Sequence, residues 1–283
     1  MRLKYEDIDH GKAPARLEET CTTIQWDWFG YRFYLERDFD TVLDIGANSG
    51  TVSLYTHVLF PFADIHSFEP NPFGYASNVR LRYLFSKMNG RRGAGNWEVH
   101  NFGLGDGDPV YLYQEQEGNN RKNIFSDYNN VHKPALGAVF AKAEDESDAA
   151  QVLETRTFPD LLEEAKVDLD KNVSLKIDCE CCESFLYTSE NLDLLRKFRH
   201  VGGEIHFPAI ADDGSLARPE HQFATCDMCT SLEAHKEALN SLTDVFDLKI
   251  FKGGRSKGIA HFILTRKEDN IAGHAGVHDR GTV

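Results

Sequence analysis

The segment Asp44-Ile45-Gly46-Ala47-Asn48-Ser49-Gly50 constrains this chain more than any other. It follows an apolar run, Thr41 to Ile45, and precedes residues whose apolar positions Val52, Tyr55 and Leu59 fall on one helical face. Glycines at such a strand-to-helix turn let the backbone approach a ligand at the first crossover of a doubly wound sheet. Nineteen positions beyond Gly50, at the end of a second apolar run from Ala63 to Phe68, stands Glu69. A carboxylate there can accept hydrogen bonds from both hydroxyls of a ribose. Strand, turn, helix, strand and acid in this order predict an adenosine-type cofactor at the carboxyl ends of parallel strands. The bland reading is a tight glycine turn followed by a surface acid.

The rest of the chain supports an α/β fold. Helical and strand patterns alternate, which calls for a parallel sheet covered by helices. Further strands are expected at Trp97 to Phe102, Pro109 to Tyr113, Ser174 to Ile177 and Val201 to Phe207. A helix carrying Phe185, Leu186, Leu192, Leu195 and Phe198 should follow the third of these. Asn71-Pro72 suits a helix start. Thr230-Ser231-Leu232-Glu233 fits a capping box opening a helix to about Leu242. Val245 to Phe251 and Ile259 to Leu264 should close the chain as an antiparallel hairpin around Lys252 to Gly258. The polar stretch Gly118 to Gly137 is long for a connection and reads as a functional loop, a lid over the acceptor site, or as disorder. The aromatic run Trp26 to Tyr34 should pack an extra helix on the core.

Composition narrows the function classes. With 31 Lys and Arg against 45 Asp and Glu, the formal charge of -14 disfavours a nucleic-acid backbone as main ligand. The basic stretch Arg80, Arg82, Lys87, Arg91, Arg92 reads first as a solvated helix face. No apolar run approaches the ~20 residues of a membrane span, and the first residues lack the apolar core of a secretory signal. Six cysteines in 283 residues are sparse for a disulfide scaffold and read as reduced thiols or metal ligands, with the cytosol as default compartment.

Charge also selects the cofactor. A dinucleotide pyrophosphate favours a clear G-x-G-x-x-G, whereas here Asn48 holds the middle glycine position. Asp44 places a carboxylate at the strand end, which suits the ammonium and sulfonium of S-adenosylmethionine better than phosphates.

The chain resembles the FkbM-type S-adenosylmethionine-dependent methyltransferases. The resemblance lies in Val42 to Gly50, Phe68-Glu69-Pro70-Asn71, Asn101 to Asp106, Thr155 to Leu162, Leu175 to Glu180 and Glu204-Ile205-His206. It spans about residues 40 to 265 and implies a class I methyltransferase, a Rossmann-like, doubly wound, seven-stranded and mostly parallel sheet. It also implies methyl transfer to a hydroxyl of a small molecule or glycan. Residues 41–266 would form the methyltransferase domain, with 1–40 a helical and aromatic extension and 267–283 a flexible tail. Cofactor contacts would come from Asp44, Gly46, Asn48, Gly50, Glu69, Asp106 and Asp178. One departure matters: the family's Asp-Val-Glu-Gly-small-Glu run is Asp178-Cys179-Glu180-Cys181-Cys182-Glu183 here. If the glycine position needs positive φ, Cys181 is strained.

Methyl transfer is an in-line displacement in which a base removes the acceptor proton. Asp178 and Glu180 share one side of a strand end, and Glu204 and His206 share one side of the next strand. His206 is the preferred base, because a neutral imidazole is available near neutrality; the bland reading is a structural hydrogen-bonder. Asp178, Glu180 and Glu183 could take a hard cation, but no metal is assigned to them. Cys179, Cys181 and Cys182 with Cys226 and Cys229 could hold zinc, with free apolar thiols as the simpler reading. The competing classes are an inactive S-adenosylmethionine-binding or zinc-binding interaction module, favoured by Cys181, and a nicotinamide enzyme, disfavoured by Asp44 and Asn48. Neither the acceptor nor the oligomeric state is written in the sequence.

Overall fold

The computed structural model describes residues 39–89, 95–113, 140–141, 149–208, 229–251 and 258–268. The expected aromatic extension, the 118–137 loop, Arg91, Arg92, Cys226, residues 252–257 of the hairpin loop and residues 269–283 of the tail lie outside them.

Five parallel strands form the centre of the molecule. These are β1 (Thr41–Ile45), β2 (Asp64–Phe68), β3 (Trp97–His100), β9 (Val173–Ile177) and β10 (His200–His206). The hairpin β11 (Phe246–Phe251) and β12 (Ile259–Arg266) adds two antiparallel strands, with β12 paired to β10. The sheet order is β11-β12-β10-β9-β1-β2-β3, the doubly wound, mostly parallel seven-stranded arrangement expected for a class I methyltransferase fold. Strand β1 is buried along its whole length, as a central strand covered on both faces must be. The chain winds outward from β1 to β3, then returns to β9 on the other side. The switch point therefore lies between β1 and β9, where such sheets bind ligands.

Helices fill both faces. On one, α1 (Thr51–Leu59) and α2 (Pro72–Asn89) cover Phe39, Val42, Ile65 and Trp97, with Val52, Tyr55 and Leu59 turned inward as their spacing predicts. On the other, α3 (Phe158–Glu164) and α4 (Ser189–Leu195) pack Phe158, Leu161 and Leu195 against Leu43, Leu175 and Val201. Pro72 opens α2 as expected. In α2, Arg82 donates to the Trp97 carbonyl and Lys87 lies over the Tyr83 ring, so these cations serve the fold.

Four local expectations need correction. Val110–Tyr113 (β5) is a strand, yet it pairs with β6 (Phe140–Ala141) and β7 (Ala149–Leu153) in a separate small sheet. The run to Phe102 breaks after His100, and the two-residue β4 (Gly103–Leu104) pairs with β8 (Thr155–Arg156). The single helix after β9 is two pieces, a 3-10 helix over Cys182–Tyr187 and then α4, because Thr188 leaves helical φ/ψ and caps Asn191. The capping box does not form: Ser231, not Thr230, caps α5 (Leu232–Asn240) through the Ala234 N–H. A Ser231 cap moves the third helical position to Ala234, so Glu233 is out of register for the reciprocal bond.

Candidate active site

The turn after β1 shows why glycine is needed. Gly46 has φ 75°, and a Cβ there would lie 1.8 Å from the Asp178 carbonyl oxygen. The β1 turn and the end of β9 therefore touch through bare backbone. Asn48 also takes positive φ, and Gly50 is the left-handed N-cap of α1. This bend aims the Asn48 N–H at Glu69 Oε2 (2.7 Å), while the Asn71 N–H reaches Glu69 Oε1 (2.8 Å). Asn101 fastens the same corner through the Glu69 and Pro70 carbonyls. Glu69 is thus a buried, oriented carboxylate at the end of β2, where the sequence places a ribose acceptor. Burial pushes its pKa up to about 7, against the pull of the two backbone donors.

Asp44 is placed differently from a free carboxylate awaiting an ammonium. It is buried, accepts from Ser53 Oγ (2.5 Å) and pairs with Lys176 Nζ at 3.0 Å. Lys176 also donates to the Gly46 carbonyl and lies 3.8 Å from Asp178. Burial works to lower the lysine pKa, but the Asp44 and Asp178 carboxylates raise it, so the ammonium stays charged. Sequence reasoning missed this residue; a lysine inside the strand Val173–Ile177 is the signal that marks it. Asp106 sits apart, in an exposed turn after β4, accepting from the Asp108 N–H.

The four residues proposed for chemistry do converge. His206 Nε2 lies 3.4 Å from Glu204, 3.8 Å from Glu180 and 3.9 Å from Asp178. Its Nδ1 is 2.8 Å from Glu183 Oε1, an acid the sequence offered as a hard-cation ligand and not as a partner of the histidine. Burial acts to lower the His206 pKa, and the Glu183 and Glu180 carboxylates outweigh it, raising it well above the ordinary value. A histidine so surrounded keeps its proton at neutrality, the opposite of the free base expected. The titrating groups near neutrality are instead carboxylates. Burial, followed by the Asp178 charge, pushes Glu204 to about 7, and burial pushes Glu180 to about 8. Close packing is again a glycine's doing: a Cβ on Gly203 would stand 1.7 Å from the Ile177 carbonyl oxygen, so β10 lies against β9 with no side chain between. Among the described residues, five carboxylates (Asp44, Asp178, Glu180, Glu183, Glu204) crowd two cations, Lys176 and His206.

The cysteines are paired. Cys179–Cys182 and Cys181–Cys229 are disulfides, which corrects both the free-thiol and the zinc readings for these four, since a disulfide sulfur is no thiolate ligand. The cytosolic default rested on reduced thiols, and disulfides persist in oxidising surroundings. Cys181 does hold the position of positive φ (85°), next to Glu180 at 58°. Two successive left-handed residues turn the chain sharply after β9 and bring Glu180 and Glu183 to either side of His206. No described helix is long and apolar enough to cross a membrane.

No protein-family model and no curated protein matches the chain. Among solved structures it is similar to a SAM dependent methyltransferase from Aquifex aeolicus, at 9% identity over 89% of this chain and 98% of that one (TM-score 0.37). It is also similar to a putative methyltransferase from Thermobifida fusca, at 12% identity over 89% and 83% of the two chains (TM-score 0.43). A third is the plantazolicin methyltransferase BamL, solved with a triazolic desmethylPZN analog and SAH, at 9% identity over 93% and 92% (TM-score 0.41).

Proposed function

We propose that this chain is an S-adenosylmethionine-dependent methyltransferase that methylates a hydroxyl on a small molecule or glycan. The observation that carries the reading is the acidic cluster at the switch point between β1 and β9 of a doubly wound sheet, next to the oriented Glu69. A net excess of carboxylate favours a cationic cofactor over a pyrophosphate. S-adenosylmethionine fits that donor set and supplies an activated methyl group when bound. Glu69 accepts the ribose hydroxyls, with its orientation preset by the Asn48 and Asn71 N–H groups. Asp178 offers its carboxylate to the cofactor's ammonium from the strand end that packs directly on the Gly46 turn. Asp106, in its exposed turn, stands as an outer contact of the adenine.

Glu204 is the base in this reading, taking the acceptor proton at a carboxylate whose pKa lies near neutrality, the condition for efficient proton transfer. His206, held as imidazolium by Glu183, orients Glu204 and limits repulsion among Asp178, Glu180 and Glu204. Residues 41–266 make up the catalytic domain. The test is methyl transfer from labelled S-adenosylmethionine to fractions of a metabolite and glycan extract. Base-stable label in a hydroxyl-bearing fraction, absent with Glu204→Gln, is the expected result. Label confined to nitrogen or carbon acceptors would overturn the O-methylation part.

A further inference from the structure

Away from the strand-end cluster, the outer edge of the sheet gathers a second set of ligating side chains. In β2 and β3, alternate residues point to the same face; His66 stands opposite Glu98 in the parallel register, and Phe68 opposite His100. Ser67 faces the other way and accepts from Trp97 Nε1. His66, Glu98 and His100 therefore share one face at the edge of the sheet. His66 Nδ1 lies 3.3 Å from His100 Nε2, and Glu98 Oε2 lies 3.8 Å from the first and 4.0 Å from the second.

We propose that His66, Glu98 and His100 form a zinc site that pins the edge strand β3 to β2. The donors are two imidazole nitrogens and one carboxylate oxygen, the borderline set zinc takes with water completing four-coordination. Geometry selects among metals as well. A tetrahedral ion ~2.0–2.1 Å from two nitrogens sets them ~3.3 Å apart, whereas an octahedral ion at that distance sets neighbouring donors ~2.9 Å apart. The observed separation is close to the tetrahedral one; the two nitrogens face each other in a hydrogen bond, which an entering ion would replace as the rings tilt toward it. The carboxylate must close by roughly half an ångström, and it can, because Glu98 is the exposed member of the three.

The surroundings hold the donors in place. The His100 ring stacks on Phe68 (4.7 Å between centroids, 14° between planes), and the His66 ring meets His100 edge to edge through the Nδ1–Nε2 hydrogen bond. Asn96 Nδ2 donates to Glu98 Oε1 at 2.5 Å, which leaves Oε2 turned toward the histidines. Such outer partners fix the orientation of a ligating carboxylate. The His100 carbonyl accepts from the Glu69 N–H, so an ion here steadies the strand end that carries Glu69.

Zinc chloride titrated into the metal-stripped full-length chain tests the site, with Glu98→Ala and His100→Phe as comparisons. His100→Phe keeps the aromatic stack and removes one ligand; Glu98→Ala alters an exposed side chain and leaves the core alone. The parent is expected to bind one zinc more per chain than either variant, with a zinc-dependent rise in Tm that both variants lose. Affinity should fall by more than the ~10–100-fold that follows loss of an outer partner. Cobalt in the same site should give the intense visible bands of tetrahedral coordination. Equal zinc stoichiometry and equal Tm shifts in parent and Glu98→Ala would overturn the proposal, as would octahedral cobalt spectra.

Discussion

His206 shows how far a residue's chemistry is set by its neighbours. Its type and its place at the end of a strand suggest a neutral base, and its position at the strand ends is as read. Its charge is not, because Glu183 reaches it from the 3-10 helix, a contact no spacing in the sequence announces. Removing His206 should therefore do more than slow a reaction. His206→Ala leaves buried carboxylates without their cation and is expected to cost about 3–5 kcal/mol of stability, read by denaturant unfolding. Glu204→Gln separates catalysis from folding. It should lower turnover by roughly 10²–10⁴-fold with Tm little changed at about pH 5, where the parent's Glu204 is itself neutral. In the parent, the rate should rise with pH through about 7 as Glu204 loses its proton. A rate that falls across the same interval would point to a protonated group as the one that matters.

At the scale of elements, the central strands and the glycine turn were legible because burial on both faces and positive φ leave narrow choices of residue. The cysteine pairing was not. Cys181 and Cys229 are 48 residues apart, and nothing local says that the turn after β9 meets the segment entering α5. That link holds a left-handed cysteine in place where a glycine would relax. In the chain-entropy account, a loop of this length is stabilised by about 4 kcal/mol when closed. Cys229→Ser is expected to lower stability by about 2–4 kcal/mol and to loosen the Glu180–Glu183 turn. Hydrogen exchange in residues 179–187 should accelerate in the variant; unchanged protection there would show that the turn stands without its tether. The small sheet of β5, β6 and β7 was half legible for a related reason: strand propensity marks β5, but pairing depends on segments far along the chain.

For the whole molecule, the crowded carboxylates set how stability follows pH. Glu69, Glu180 and Glu204 all have folded pKa values raised above the ordinary carboxylate range, to about 7, 8 and 7. Between their ordinary and raised values the folded chain holds more protons than the unfolded one, so stability falls as pH rises. His206 acts in the same direction, since its raised pKa stabilises the fold at low pH and the benefit disappears as pH climbs through it. Glu183 opposes them on the acid side, its depressed pKa stabilising the fold above the ordinary carboxylate range. The Tm of the ligand-free chain is expected to decline from about pH 5 to about pH 8, and Glu204→Gln should flatten the slope. A cationic ligand at the strand ends should do the same, which joins this behaviour to the central claim. Calorimetric titration with S-adenosylmethionine, S-adenosylhomocysteine and NAD tests that claim most directly. The account predicts one binding site for the first two, none for NAD, and a loss on the order of 1.5–3 kcal/mol in Glu69→Ala with the fold intact by circular dichroism. Binding of NAD in place of S-adenosylmethionine, or equal affinity in Glu69→Ala and parent, would contradict it.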